Sequence, residues 1–222
     1  MKPSSSPLRV TPQATARISK SERTRAAILN AAFDFLWSRP FRDVTVQAVT
    51  ASTDVGRSAF YQYFSDLHEL MKTLLAIVQD EIFHTAEPWI SGVGDPVVLI
   101  NDTLAGLVRV GHERGPFLRA ISDAASADER FEEDWRLFLE GFDAAATARI
   151  EADQKQGLIP PFEVRPVAVA LNRLDAYTLI QAFGQRPRSQ PEPVREALAR
   201  VWISTLYGAE WLSGGSSTLV RA

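Results

Sequence analysis

Cysteine is absent from the 222 residues, which removes disulfides, thiolate catalysis and every cysteine-bearing zinc site at once. Histidine is scarce: His68, His84 and His112 stand singly, with no His-Glu-x-x-His pair and no glycine-rich phosphate loop to accompany them. No constellation for an enzyme is visible, and the expected cofactor and metal complement is none. No apolar run is long enough to span a bilayer, and the polar, basic N-terminus has no apolar leader, so the expected location is cytoplasmic with no membrane partner. Alternating strand patterns are missing as well. Proline and glycine punctuate helical periods instead, which predicts an all-α fold.

The charge is unevenly shared. Residues 1–65 hold nine Lys/Arg against four Asp/Glu, a balance of +5, so the total of −3 leaves −8 for residues 66–222. A basic N-terminal segment on an acidic body suits a protein that attracts a polyanion at one end and repels it elsewhere. A solvated basic tail is the competing explanation of the charge alone. With 45% hydrophobic residues, the length accommodates a small head and one larger body.

Helical periods divide the chain further. Residues 1–18, rich in Ser, Pro and Arg, read as a flexible basic arm. Ser19 and Glu22 have capping-box spacing for a helix from about Ser21 to Ser38, stopped by Pro40. Thr45 caps a short helix to Ser52, with Val46 and Val49 facing inward. A second short helix runs from Arg57 to Tyr63, with Phe60 and Phe64 on one side. A longer connecting helix starts near Asp66 and spans 66–88. Asp95-Pro96 opens a helix expected to end between Gly111 and Gly115, where Pro116 restarts the chain. Asp128 caps the next, which ends at Gly157, and Val167–Phe183 and Pro193 to about Trp211 complete the body. The partition is therefore arm 1–18, head 19–65, connecting helix 66–88, body 89–213, and flexible tail 214–222.

Two short helices joined by a tight turn behind a longer first helix make a helix-turn-helix, whose second helix enters the major groove of DNA. Phe60 and Phe64 can anchor one face while Arg57, Ser58 and Gln62 point outward, the arginine able to fork onto guanine. Hydroxyls of Thr45, Tyr61 and Tyr63 stand at helix ends, where phosphate oxygens are met. Thr45-Val46-x-x-Val49, Val55, Phe60-Tyr61-x-Tyr63-Phe64 and Glu69-Leu70 resemble, in order and spacing, the signature of the tetracycline-repressor (TetR) family over about fifty residues from Thr24. The resemblance implies that Thr45, Tyr61 and Tyr63 hold phosphates while Arg57, Ser58, Ala59 and Gln62 face bases. It also implies a probe of double-stranded, palindromic operator DNA by a homodimeric repressor. Asp54, Gly56 and Leu67 depart from the pattern, standing where glycine, a serine cap and a lysine are common.

The body has a fainter likeness to one branch of that family, the mycobacterial ethionamide-resistance repressors, through Ala170-Leu171-Asn172, Val201–Gly208 and Trp135. That branch binds drug-like ligands in an aromatic-lined tunnel. By position the resemblance assigns Trp135, Phe138, Leu139, Phe142, Asn172, Asp175, Leu179 and Trp202 to such a tunnel and makes a small apolar effector the expected ligand. Asp175 stands where that branch has an amide, which favours a ligand with a donor group. From spacing alone, Trp135, Phe138, Leu139 and Phe142 could equally be plain core, and Asn172 and Asp175 could sit at a wet dimer seam. Dimerisation is expected through the last two long helices, with Leu171, Leu174, Val201, Ile203 and Leu206 at the seam. Glu132-Glu133-Asp134 reads as a solvated acidic face. The rival functions are an enzyme and a ligand-sequestering or protein-binding helical module that has lost DNA binding.

Overall fold

The computed structural model describes residues 19–208. They form α1 (Lys20–Leu36), a 3-10 turn (Phe41–Asp43), α2 (Val46–Thr50), α3 (Arg57–Phe60), α4 (Leu67–Ser91), α5 (Pro96–Ala125), α6 (Glu129–Lys155), α7 (Val164–Phe183) and α8 (Pro191–Leu206), with no strand among the described residues. The all-α expectation holds. The expectations for the arm, the tail and the last helix beyond residue 208 lie outside the described residues.

Side-chain caps set the helix starts. Ser19 and Glu22 exchange the two bonds of a capping box at 2.8 and 3.1 Å. Thr45 accepts from the Ala48 amide, Asp66 from Glu69, Asp95 from Val97 and Val98, and Asp128 from Arg130. Each acceptor meets amides that have no intrahelical partner, a contribution of about 1 kcal/mol per cap. Where side-chain caps are lacking, the boundaries differ more from expectation. α7 starts at Val164 rather than Val167, and α8 at Pro191 rather than Pro193. α3 is shorter than predicted, ending at Phe60 with a turn over Tyr61–Tyr63.

One prediction is overturned: α5 does not stop before Pro116 but runs through it as one helix of 30 residues. Gly111 and Gly115 serve close packing instead of termination. A Cβ on Gly115 would fall 2.6 Å from the Phe183 carbonyl oxygen, and one on Gly111 would fall 2.8 Å from the Leu179 side chain. The two glycines therefore open a lane in which α7 lies against α5. Pro116 cannot donate to the carbonyl of His112, one turn earlier. Arg188, from the α7–α8 loop, donates to that carbonyl at 3.1 Å in its place.

The apolar core falls into two clusters. One joins Ile28 and Phe33 of α1, Val49, Phe60 and Phe64 to Leu70 and Leu74 of α4 and Phe117 of α5. The other lies deeper in the body and gathers Trp89, Ile100, Ile150, Phe183, Trp202 and Leu206. α4 contributes to both, Leu70 through Ile82 to the first and Trp89 to the second. Beside the first cluster lies Arg114, 1% exposed, whose guanidinium takes both Glu81 oxygens at 2.9 and 2.6 Å and stands over the Phe33 ring, 4.1 Å from its centre. α1, α4 and α5 are thereby tied at one point.

Candidate nucleic-acid interface and apolar cavity

The first site is built on α2 and α3. Thr53 closes the turn between them, donating to the Thr50 carbonyl at 2.9 Å and accepting from the Val55 amide at 3.2 Å. Phe60 and Phe64 are buried and pack on each other with ring centres 5.6 Å apart. That anchorage leaves Arg57, Ser58, Tyr61 and Gln62 exposed, Ala59 half-buried beside them, and the Arg57 guanidinium 5.9 Å from the Tyr61 ring. Thr45 is exposed at the start of α2; its oxygen accepts from Ala48, which leaves its hydroxyl proton available outward. Tyr63 is half-buried against the core beneath α3. All seven residues predicted for DNA contact thus lie on or beside the two short helices.

The second site is a cavity of about 90 Å³ inside the body. Its walls come from α4, α5, α6, α7 and α8, and all eight residues assigned by position, Trp135, Phe138, Leu139, Phe142, Asn172, Asp175, Leu179 and Trp202, line it. The aromatic stripe of α6 is therefore both core and cavity wall: Trp135 stacks on Phe138 at 5.1 Å, and Phe142 stacks on Phe83 of α4 at 4.7 Å. Sequence reasoning missed the α4 and α5 walls, among them Thr85, Trp89, Ile100 and Thr103. A helical period gives a helix its apolar side without showing what that side is buried against.

Polar groups in and around the cavity are few and mostly engaged. Trp202 donates its indole N–H to Asp175, 3.0 and 3.1 Å from the two carboxyl oxygens, and burial raises the Asp175 carboxyl to about 7 against that bond. Asn172 donates to Asp143 Oδ1 at 3.0 Å, and Arg173 completes the pairing of that buried carboxylate at 2.9 and 3.1 Å. Beyond Trp202 the edge of its ring meets Trp89, whose indole donates to Tyr207 at 3.2 Å, and Tyr207 donates to Asp153 at 2.8 Å. Arg149 pairs with Asp153 and donates to the Trp89 and Gly92 carbonyls at the end of α4. These contacts clamp the cavity wall to the terminus of α4.

Residues 28–74 match the family model described as bacterial regulatory proteins of the tetR family, and residues 100–208 match that of the transcriptional regulator EthR, C-terminal domain. The chain belongs to the TetR family. It is similar to the HTH-type transcriptional regulator EthR of Mycobacterium tuberculosis, 27% identical over 202 residues, which cover 87% of this chain and 91% of that one. The counterpart from Mycolicibacterium smegmatis is 26% identical over 204 residues, covering 87% of this chain and 90% of its own. A solved structure of a tetR-family regulatory protein from Rhodococcus superposes with a TM-score of 0.67 over 85% of this chain and 97% of that one, at 16% identity, a likeness of fold. These relatives are transcriptional regulators and not enzymes, so this TetR-family chain is a helix-turn-helix transcriptional regulator.

Two surface expectations are corrected by this TetR-family body. Leu171, Ile203 and Leu206, expected at a subunit seam, are buried in the protomer's own core; Leu174 packs half-buried on the same core, and only Val201 is exposed. The helical period is compatible with either orientation, and packing on α5 takes the leucines inward. Asp134, expected on a solvated acidic face with Glu132 and Glu133, is buried and accepts from Lys72 at 2.7 Å, with His68 Nε2 2.8 Å from its other oxygen. Facing α4 rather than water, it ties α6 to the connecting helix.

Proposed function

We propose that two copies of this regulator, paired through α7 and α8, repress transcription from a palindromic operator and release it when a small apolar effector enters the cavity. The observation that carries this reading is the double role of α4. Its first half underlies α3, while Ile82, Thr85, Trp89 and Ile90 from its second half form a wall of the cavity. A cavity of about 90 Å³ accommodates a slender group only, so a larger ligand has to displace a wall, and α4 is the wall joined to the DNA reader. Two readers in a dimer must meet major-groove faces about 34–36 Å apart, a spacing that a small rotation of α4 in each subunit would spoil.

Pairing is supported by the outward faces of the last two helices. Tyr177, 67% exposed, and Val201, 38% exposed, are large apolar groups facing away from the protomer, with the small Ala170, Ala197 and Ser204 also exposed on these helices. A self-complementary two-fold contact matches the symmetry of a palindromic site.

Titration of hydrophobic compounds against the operator complex, with tryptophan fluorescence as a second readout, tests the mechanism. Ligand and operator are expected to weaken each other by the same factor, about 1–3 kcal/mol. Ala146→Trp, which fills the cavity, is expected to block the ligand or mimic it while light scattering still finds a dimer. Compounds that bind in the cavity yet never alter operator affinity would refute the release mechanism.

The reader has its own test. Arg57→Ala is expected to lose about 1–3 kcal/mol on the cognate operator and to relax specificity at one position per half-site, as removal of a bidentate guanine contact does. Affinities on a panel of mutated operators measure it, and an unchanged sequence profile would rule out base reading by Arg57.

A further inference from the structure

A recess of about 540 Å³ lies where the DNA reader meets the body, and it shares no lining residue with the apolar cavity. One wall is the end of α1 and the 3-10 turn; the other is α5 near Pro116 to Asp123 and the α7–α8 loop. Five arginines line it, Arg39, Arg42, Arg119, Arg186 and Arg188, against one carboxylate, Asp123, which Arg119 already holds at 3.1 Å. The other four have no carboxylate partner among the described residues. Arg23, Arg25, Arg57 and Arg200 also lack one, but none of them lines the recess, whereas the exposed Arg130, Arg136 and Arg165 each hold a carboxylate.

One of these guanidinium groups is also held in place. Arg188 lies flat on Trp37, 3.5 Å from the ring centre, and one of its amino groups is spent on the His112 carbonyl. Its Nε is buried without an acceptor, and burial, followed by the neighbouring Arg186 charge, lowers the group to about 10. Positive charge gathered in a partly desolvated concavity is costly when empty and favourable around an anion with several oxygens, to which guanidinium forks donate in pairs.

We propose that this recess is a second ligand site, which takes a small multivalent oxyanion, an organic phosphate or polycarboxylate of metabolite size, between reader and body. A volume in the hundreds of Å³ suits such a ligand. Three of the five arginines belong to the body rather than to the helix-turn-helix, which favours a small anion over the DNA backbone. A bound oxyanion would bridge Arg39 and Arg42 on one wall to Arg186 and Arg188 on the other.

Calorimetry of the full chain with inorganic pyrophosphate, in magnesium-free buffer containing sodium chloride near 0.15 M to screen loose attraction, tests the site. The expected result is saturable binding of one pyrophosphate per chain. Arg186→Ala, at an exposed position whose loss leaves the core intact, is expected to weaken it about tenfold or more, and Arg42→Ala to do so from the opposite wall. Ala146→Trp, in the separate apolar cavity, is expected to leave it unchanged. Absence of saturable heat, or affinity unchanged by both arginine substitutions, overturns the proposal. Without pyrophosphate, Arg186→Ala should bind operator as the parent does; equal weakening on every DNA sequence would make the recess a backbone contact and overturn it as well.

Discussion

Glu81→Ala is expected to lower the stability of the folded chain by about 3–5 kcal/mol, because it strands the Arg114 charge inside the protein. Arg114 is 1% exposed, and Glu81 supplies both oxygens that its guanidinium meets. Glu81 itself is 23% exposed, so water admitted by the truncation should hold the loss toward the lower end of that range. Replacing both partners, Glu81→Met with Arg114→Met, is expected to recover much of it, since two apolar groups of similar volume leave no charge to desolvate. Urea unfolding of the parent, Glu81→Met, Arg114→Met and the double variant measures the coupling, with Glu81→Ala alongside them. A single substitution as mild as the double one would show that the pair is not isolated from solvent. The contact of Arg114 with Phe33 gives the cycle a functional reading too. If this point carries force between body and α1, the double variant should fold well yet respond less to effector at the operator.

Stability is expected to fall as pH rises from about 4 to above 7, through Asp175. Its folded value, about 7, lies above the ordinary value of 3.8 because the carboxyl is buried. Between these values the folded chain keeps a proton that the unfolded chain has released, so raising the pH favours unfolding. The gap corresponds to roughly 4 kcal/mol across that window. The contribution is fully present below pH 4 and is lost as pH passes through 7. Asp175→Asn keeps an acceptor for the Trp202 indole and removes the ionisation. It should therefore flatten this part of the profile and stabilise the protein at pH 8 relative to the parent. Thermal unfolding at pH 5 and pH 8 decides it, and equal pH dependence in parent and variant would exclude Asp175 as its source. The same property bears on the effector: near pH 7 the cavity offers a carboxyl close to its midpoint, so a ligand that donates a hydrogen bond or carries positive charge should draw out the ionised form.

How much of this was legible beforehand depended on whether the signal was local. Capping was local: Ser19, Thr45, Asp95 and Asp128 all act where their positions in the chain placed them, since a cap involves amides two or three residues away. The helix-turn-helix was legible for the same reason, with Phe60 and Phe64 defining the buried side and Arg57, Ser58 and Gln62 the other. Pro116 was misread because the partner that makes a mid-helix proline tolerable, Arg188, lies 76 residues away. Gly111 and Gly115 were misread with it, since only the approach of α7 distinguishes a packing glycine from a terminating one. Asp134 looked solvated because its partner, Lys72, is 62 residues distant.

By itself, then, the sequence determined the all-helical class, most helix starts, the outward face of the reader and the membership in the TetR family, all encoded in periods and spacings of a few residues. Which aromatic residues of the body meet around one cavity was read from resemblance, and only the packing of five helices assembled its α4 and α5 walls. Tertiary structure alone turned Leu171, Ile203 and Leu206 inward, buried Asp134, and gathered five arginines from four segments around one recess. Such juxtapositions depend on contacts between residues far apart in the chain. A helical period shows that a residue has an apolar side, but the neighbour on that side is chosen by the fold.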